Sequence, residues 1–130
     1  NELYFMTQAY AKLYQIENHL RQIINQKMIS EYGIHWHAIV SRRINNRIIR
    51  KDFTNLNFPE LISYFNILQP LSTIYSSQIL HQLQMVTPIR NKIAHNRFLT
   101  KDEYIQLDKV FHLLFSLNVE MELDKSLERI

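Results

Sequence analysis

The chain has 130 residues, 46% of them hydrophobic and 21% charged, which suits one folded domain with a core of its own. One glycine cannot build a glycine-rich phosphate loop, and the absence of cysteine excludes disulfides, thiolate zinc sites and cysteine catalysis. The net charge of +3 is modest but unevenly distributed, because five basic residues cluster with no acidic residue among them: Arg42, Arg43, Arg47, Arg50 and Lys51.

Targeting and membrane patterns are the next feature of the sequence. No apolar run approaches the roughly 20 residues that span a bilayer, and no signal-peptide pattern opens the chain. We therefore expect a cytoplasmic protein without a membrane partner. The first residue is Asn1 rather than Met, which fits a single domain over residues 1–130 that is a piece of a longer protein.

The first half of the chain has a helical pattern. Apolar residues three and four positions apart predict a long helix over residues 8–32, with Thr7 as its N-cap and Gly33 as its stop. Residues 34–57 leave two interpretations open, a short helix over 38–50 or an exposed connecting segment. The predicted buried face of the first helix consists of Ala9, Leu13, Ile16, Leu20, Ile23 and Ile24.

The second half continues this pattern. Pro59 predicts the first residue of a helix, and Pro70 is expected to break or kink it before the apolar face continues from Leu71 to about Met85. Thr87 predicts the N-cap of a helix over residues 88–96. The sequence therefore predicts an all-α fold, a single bundle of four to five helices.

The last predicted helix opens with a capping box, in which Thr100 precedes Glu103 by three residues. The predicted buried faces of the later helices consist of Leu61, Tyr64, Phe65 and Leu68, then Leu71, Ile74, Tyr75, Ile79 and Leu83, and finally Tyr104, Leu107, Phe111, Leu114, Leu117 and Met121.

One segment differs from the rest in its density of polar groups. Six of the nine residues from Ile89 to Arg97 are polar or charged. At 100° per residue, Asn91 and His95 lie on one face of a helix, whereas Arg90 and His95 lie about 140° apart. Arg90 must therefore reach round the helix, or a neighbouring chain must complete the pair.

This segment resembles the signature of HEPN domains. It contains an Arg, four residues and a His, with a polar residue directly after the Arg: Arg90-Asn91-Lys92-Ile93-Ala94-His95. The continuation to Arg97 and the capped helix after it resemble HEPN domains of abortive-infection and related bacterial proteins. The pair Glu17 and Arg21 resembles an acidic and basic pair on the first helix of such domains, and the resemblance covers the frame from about Tyr10 to Leu117.

The resemblance implies a HEPN-like bundle that forms a two-fold homodimer and acts as a metal-independent endoribonuclease without a cofactor. It implies a role in antiphage defence, toxin activity or RNA processing, with RNA as the partner and an antitoxin or fused domain as a further one. His95 is expected to transfer protons, Arg90 to stabilise the phosphate, and Asn91 to orient His95 or bond a phosphate oxygen. Lys92 and Arg97 are expected to hold the RNA backbone, as are three residues of the basic cluster: Arg42, Arg43 and Arg47.

Structural alternatives stay open for each of these residues. Arg90 and His95 also fit a pair within a buried polar seam. Glu17 and Arg21, expected at the facing wall of the cleft, also fit a surface ion pair, and the basic cluster fits a solvated face. His35 and His37 have no carboxylate at ligand spacing, so no metal site is predicted. The alternative function is a non-catalytic dimerisation or RNA-binding module within a larger protein.

Overall fold

A computed structural model describes residues 2–128, and the side chains of residues 2–116. Within these limits the chain is helical and has no strand, so the predicted all-α class is confirmed. The chain is divided into more and shorter segments than predicted, and the predictions for Leu117 and Met121 lie outside the described side chains. The helices are α1 Glu2–Tyr32, α2 Trp36–Arg43, α3 Arg47–Arg50, α4 Phe58–Ile67, α5 Ser77–Gln84, α6 Thr87–Ala94 and α7 Lys101–Glu128, with 3₁₀ turns at Phe53–Asn55 and Gln69–Leu71.

The backbone divides into two compact units that share α1. The first unit comprises Asn1–Ile16 and Pro88–Ile130, and the second comprises Glu17–Thr87. The buried apolar side chains of the first unit are Ala9, Leu13, Ile16, Ile89, Ile93, Leu107, Val110 and Leu114. The buried side chains of the second unit include Leu20, Ile24, Met28, Trp36, Phe58, Leu61, Tyr64 and Phe65.

The long first helix begins earlier than predicted. Thr7 lies inside α1, where its Oγ1 donates to the carbonyl of Leu3 at 2.9 Å, so the prediction of an N-cap at Thr7 is wrong. A threonine hydroxyl can bond the preceding turn as readily as it caps a helix. The predicted end is confirmed: Gly33 has φ +88, a left-handed conformation that glycine adopts without strain, and its N–H donates to the carbonyl of Ile29.

Residues 34–57 form neither one helix nor an exposed connection. They contain α2, α3 and a 3₁₀ turn, and they bury the Trp36 ring. That ring lies edge-to-face with Phe53 and Tyr64, with centroids 5.2 and 6.4 Å apart, and its Nε1–H donates to Asn25 Oδ1 at 3.0 Å. Aromatic contacts of this kind, together with the burial, hold the segment in the core of the second unit.

Two helix caps, Asn57 and Ser76, were not predicted. Asn57 caps α4 and forms a capping box with Glu60, which places Pro59 at the second helical position rather than the first. The helix ends before Pro70, as predicted. The apolar face from Leu71 to Met85 is not continuous, however, because Ser76 starts a new helix there: its Oγ accepts from the N–H of Ile79 at 3.2 Å.

His19 lies in α1 with 8% of its surface exposed, and this burial lowers the pKa of its imidazole below 6.5. The unfolded chain therefore binds the proton more readily, so stability that is present above pH 6.5 is lost as the pH falls below it. We expect urea unfolding at pH 5.5 to require less urea than at pH 7.5. The carboxylates with lowered pKa, such as Glu60, protonate at lower pH and do not contribute to this step.

The control for this prediction is the exposed His81. The His19→Gln variant is expected to lose most of the difference between pH 7.5 and pH 5.5, whereas His81→Gln keeps it. An equal difference in the wild type and His19→Gln would show that another group is responsible.

Candidate functional site

The HEPN-like segment forms α6 and the turn that follows it. Ile89 and Ile93, four residues apart, are the buried positions of this helix. The helix ends at Ala94, two residues before the predicted end, so His95 follows the last helical residue. The side chain of His95 is exposed, as are those of Asn91 and Arg97, and Arg90 is half-buried.

The turn after α6 is a Schellman motif. The N–H of Arg97 donates to the carbonyl of Lys92 at 2.8 Å, and the N–H of Asn96 donates to that of Ile93 at 3.1 Å. Asn96 has φ 56, in the left-handed region that asparagine tolerates better than most residues. This geometry makes His95 the C-cap, and its own N–H donates to the carbonyl of Asn91 at 3.1 Å. The backbone therefore fixes the position of His95 and leaves the imidazole at the surface.

This turn yields a stability prediction. Asn96→Ala keeps a Cβ in the left-handed region but removes the polar amide that lets asparagine tolerate this conformation. We therefore expect the free energy of unfolding to fall by about 1 kcal/mol. Asn96→Gly adopts the same φ without strain, and we expect it to stay within about 0.5 kcal/mol of the wild type. Urea unfolding of both variants measures the difference. Equal stabilities would contradict the cap.

Arg90 and Asn91 are neighbours in space as well as in sequence. Arg90 Nη1 donates to Asn91 Oδ1 over 3.4 Å, which is long for a hydrogen bond of this kind. The amide of Asn91 therefore lies beside the guanidinium. By helical spacing Asn91 is about 40° from the position of His95, whereas Arg90 is about 140° from it, so Asn91 lies between the two in angle.

Lys92 has a partner within the fold. Its Nζ lies 2.8 Å from Glu103 Oε1, which also accepts from the N–H of Thr100 at 2.8 Å. The N–H of Glu103 donates to Thr100 Oγ1, so the predicted capping box of α7 is confirmed. The hydrogen bond from Lys92, followed by that from Thr100, lowers the pKa of the Glu103 carboxyl. Lys92 therefore links α6 to the first turn of α7, and its predicted contact with RNA stays a prediction.

The basic cluster lies in the second unit. We call its exposed arginines, Arg42, Arg43, Arg47 and Arg50, the α2–α3 basic surface. Arg43 stands over the Tyr32 ring, with 5.8 Å from Cζ to the centroid, and Lys51 pairs with Glu60 at 2.6 Å. The arginines of the cluster therefore form a solvated face, and Lys51 forms an ion pair. An RNA contact there stays a prediction.

Arg21 supports the backbone of a turn. Its guanidinium donates to the carbonyl of Phe53 at 3.0 Å and to that of Leu56. Glu17 and Arg21 belong to the second unit and α6 to the first, so their place at the facing wall of one cleft stays a prediction. No residue pattern in the sequence signals a side chain that bonds carbonyls 32 and 35 residues away.

A cleft of about 350 Å³ in the first unit was not predicted from the sequence, and it is lined in part by residues that follow α6 in the chain. Its walls are mostly apolar and are formed by Phe5, Met6, Phe98, Leu99, Tyr104 and Ile105. Glu2, Thr100 and Lys101 complete the lining. We call this feature the aromatic cleft. The signal for it was an aromatic residue, Phe98, directly after the polar segment and outside any predicted helix.

Two other kinds of feature are absent from the residues that the structure describes. No group of three or more His, Asp or Glu side chains in that part of the chain is placed to hold a metal ion. No helix there is both long and apolar enough to cross a membrane.

Comparisons with known proteins leave the family undetermined. No protein-family model, no curated protein and no solved structure matches the chain. The HEPN resemblance therefore stays a prediction that rests on the segment from Arg90 to His95.

Proposed function

We propose that the chain is a metal-independent endoribonuclease of the HEPN type, with Arg90, Asn91 and His95 at its site. The observation that carries this proposal is the position of His95, exposed on the C-cap of α6 with Arg90 and Asn91 on the same helix. An imidazole at the surface can meet a polymeric substrate, and the Arg90 guanidinium on the same helix offers a fork of donors to phosphate oxygens.

The proposed reaction uses the nucleophile that RNA carries itself. The 2′-oxygen attacks the adjacent phosphorus while one His95 imidazole accepts the 2′-hydroxyl proton. The bond from phosphorus to the 5′-oxygen breaks, and a second, protonated imidazole donates a proton to that oxygen. Arg90 stabilises the charge that develops on the phosphoryl oxygens. The products are a 2′,3′-cyclic phosphate and a 5′-hydroxyl.

The need for two imidazoles leads us to propose a homodimer. The Arg90–His95 segment of one chain contains a single histidine, and the reaction needs a base and an acid at the same moment. A two-fold axis beside α6 would bring a second His95 and a second Arg90 to the same catalytic site. In this arrangement one imidazole accepts the 2′-hydroxyl proton while the other donates a proton to the 5′-oxygen.

Analysis of the product ends tests the proposed reaction. A short RNA is incubated with the protein in excess EDTA, and the ends are identified by mass spectrometry. The expected products carry 2′,3′-cyclic phosphates, and a matched substrate with one 2′-deoxynucleotide is not cleaved at that position. Arg90→Ala is expected to slow the reaction at least 100-fold. Products with 5′-phosphates, or activity that EDTA abolishes, would contradict the proposal.

The α2–α3 basic surface favours a second candidate function, an RNA-binding module that does not cleave. Arg42, Arg43 and Arg47 are exposed and carry charge that no acidic residue within the cluster offsets. Tight binding of RNA that stays intact, weakened by Arg42→Ala and Arg47→Ala, would support this second function. Either function is compatible with the proposed roles in antiphage defence, toxin activity or RNA processing in the cytoplasm.

A further inference from the structure

The aromatic cleft presents ring surfaces to solvent at the end of the proposed site. Phe98 is 62% exposed and Phe5 is 52% exposed, although both are among the most apolar side chains of the chain. Among the side chains that the structure describes, no aromatic ring packs against Phe98. An exposed aromatic face beside a cavity is the arrangement on which unpaired nucleobases stack.

The part of the lining formed by Tyr104 and Phe5 is held in place by its own contacts. The Tyr104 ring lies edge-to-face with Phe5, with centroids 5.6 Å apart. Its hydroxyl accepts a hydrogen bond from Lys12 Nζ at 3.0 Å, and Lys12 also pairs with Asp108 at 3.3 Å. The hydrogen bond to Tyr104 and the negative charge of Asp108 together raise the pKa of the Lys12 amine. This wall is therefore ordered before a ligand enters, which reduces the entropy lost on binding.

Charge and chain order favour a nucleotide over a purely apolar ligand. Phe98 directly follows Arg97, which lies two residues after His95, and consecutive Cα atoms are about 3.8 Å apart. The stretch from Pro88 to Lys101 carries four basic residues and no acidic one: Arg90, Lys92, Arg97 and Lys101. Of these, Lys92 is paired with Glu103. A cleft with aromatic walls beside such a segment matches a ligand that is flat and apolar at one end and anionic at the other.

The lining of the cleft contains polar groups that can form hydrogen bonds with the edge of a base. Thr100 Oγ1 accepts from the N–H of Glu103 and keeps its hydroxyl hydrogen as a donor. Lys101 adds a cationic donor, and Glu2 adds an anionic acceptor. The lining thus combines apolar walls with a small number of polar groups, as small-molecule sites do.

We propose that the aromatic cleft holds an unpaired nucleobase of single-stranded RNA, stacked on Phe98, while the adjoining phosphate lies at Arg90, His95 and Arg97. This inference rests on the proposed function for the identity of the polymer. It adds a specificity site: the cleft selects nucleotides that are free to leave a helix, so single-stranded RNA is the substrate and duplex RNA is not.

Binding of a fluorescent oligonucleotide tests the proposal. The probe is a single-stranded 2′-fluoro hexanucleotide with one 2-aminopurine, which lacks the 2′-hydroxyl and is not cleaved. We expect Phe98→Ala to weaken binding about tenfold and to abolish the quenching of 2-aminopurine, and Phe98→Tyr to retain both. The matched control is Tyr10→Ala, because Tyr10 is 61% exposed and lies outside the cleft.

Solution mass and cleavage distinguish the other outcomes. A change of mass in Phe98→Ala with unchanged affinity would make the cleft an interface between copies and overturn the proposal. Unchanged affinity with His95-dependent cleavage intact would overturn the base site alone. Loss of affinity in Phe98→Ala with no cleavage by any variant would support the base site and overturn the proposed nuclease.

Discussion

Replacing His95 with alanine is expected to lower the rate of RNA cleavage by about 10²- to 10⁴-fold, the usual contribution of a general acid or base. The fold is expected to survive, because the side chain is exposed and the cap of α6 uses the backbone N–H of His95 and not its ring. The free energy of unfolding should therefore stay within about 0.5 kcal/mol of the wild type. Rates are measured on a short RNA in EDTA, and stability by urea unfolding.

The matched control is His81→Ala. His81 is also exposed, and it lies in the last turn of another short helix, α5. It is expected to leave the cleavage rate within a factor of two. An equal loss in both variants would indicate that the measured activity does not depend on the α6 segment. An unchanged rate in His95→Ala would remove His95 from the proposed site.

The largest effect on stability is expected from Arg21→Met. This change keeps most of the apolar stem and removes two charge-assisted donors, which leaves the carbonyls of Phe53 and Leu56 without the guanidinium. Hydrogen bonds to charged groups are typically worth about 1.5–3 kcal/mol, and Arg21 is only half-buried, so we expect a loss of about 2 kcal/mol. Urea unfolding measures this loss.

Cleavage by the same variant separates the two roles of Arg21. If Arg21 only supports the turn at 53–56, the rate per folded molecule is unchanged and Arg21→Lys is destabilised as well, because one ammonium does not reproduce the guanidinium fork. If Arg21 faces the RNA, the rate falls while the free energy of unfolding does not. Arg42→Met is the control for stability, since Arg42 is exposed and its loss is expected to stay within about 0.5 kcal/mol.

Local signals predicted the ends of helices best where the residues involved favour one backbone conformation or one set of hydrogen bonds. Gly33 ends α1 because its left-handed φ suits glycine, and Thr100 with Glu103 opens α7 through reciprocal hydrogen bonds. Thr7 failed as a cap because the same hydroxyl can bond the turn before it. Ser76 was missed because an apolar spacing that runs from a 3₁₀ turn into α5 resembles one continuous helical face.

Long-range partners could not be predicted from the sequence. The burial of Trp36 depends on Phe53 and Tyr64, and nothing local distinguishes a core tryptophan from an exposed one. Burial is the larger cause, and the nearby negative charge of Glu60 the smaller one, of a rise in the pKa of Tyr64 to about 12.

In the candidate site, too, the local features could be predicted from the sequence and the long-range contacts could not. The closeness of Asn91 and His95 in angle follows from their spacing of four residues at the end of α6. The pairing of Lys92 with Glu103 joins two helices and required the structure. The aromatic cleft also combines residues from the two ends of the chain, near positions 5 and 100. Spacing along the sequence does not predict that residues so far apart line the same cleft.

The most direct test of the central claim is cleavage of total bacterial RNA by the wild-type chain in EDTA, with its mass in solution measured alongside. We expect cleavage by a species of twice the chain mass, and loss of that cleavage in both Arg90→Ala and His95→Ala. A folded dimer that binds RNA and leaves it intact would contradict the proposed nuclease.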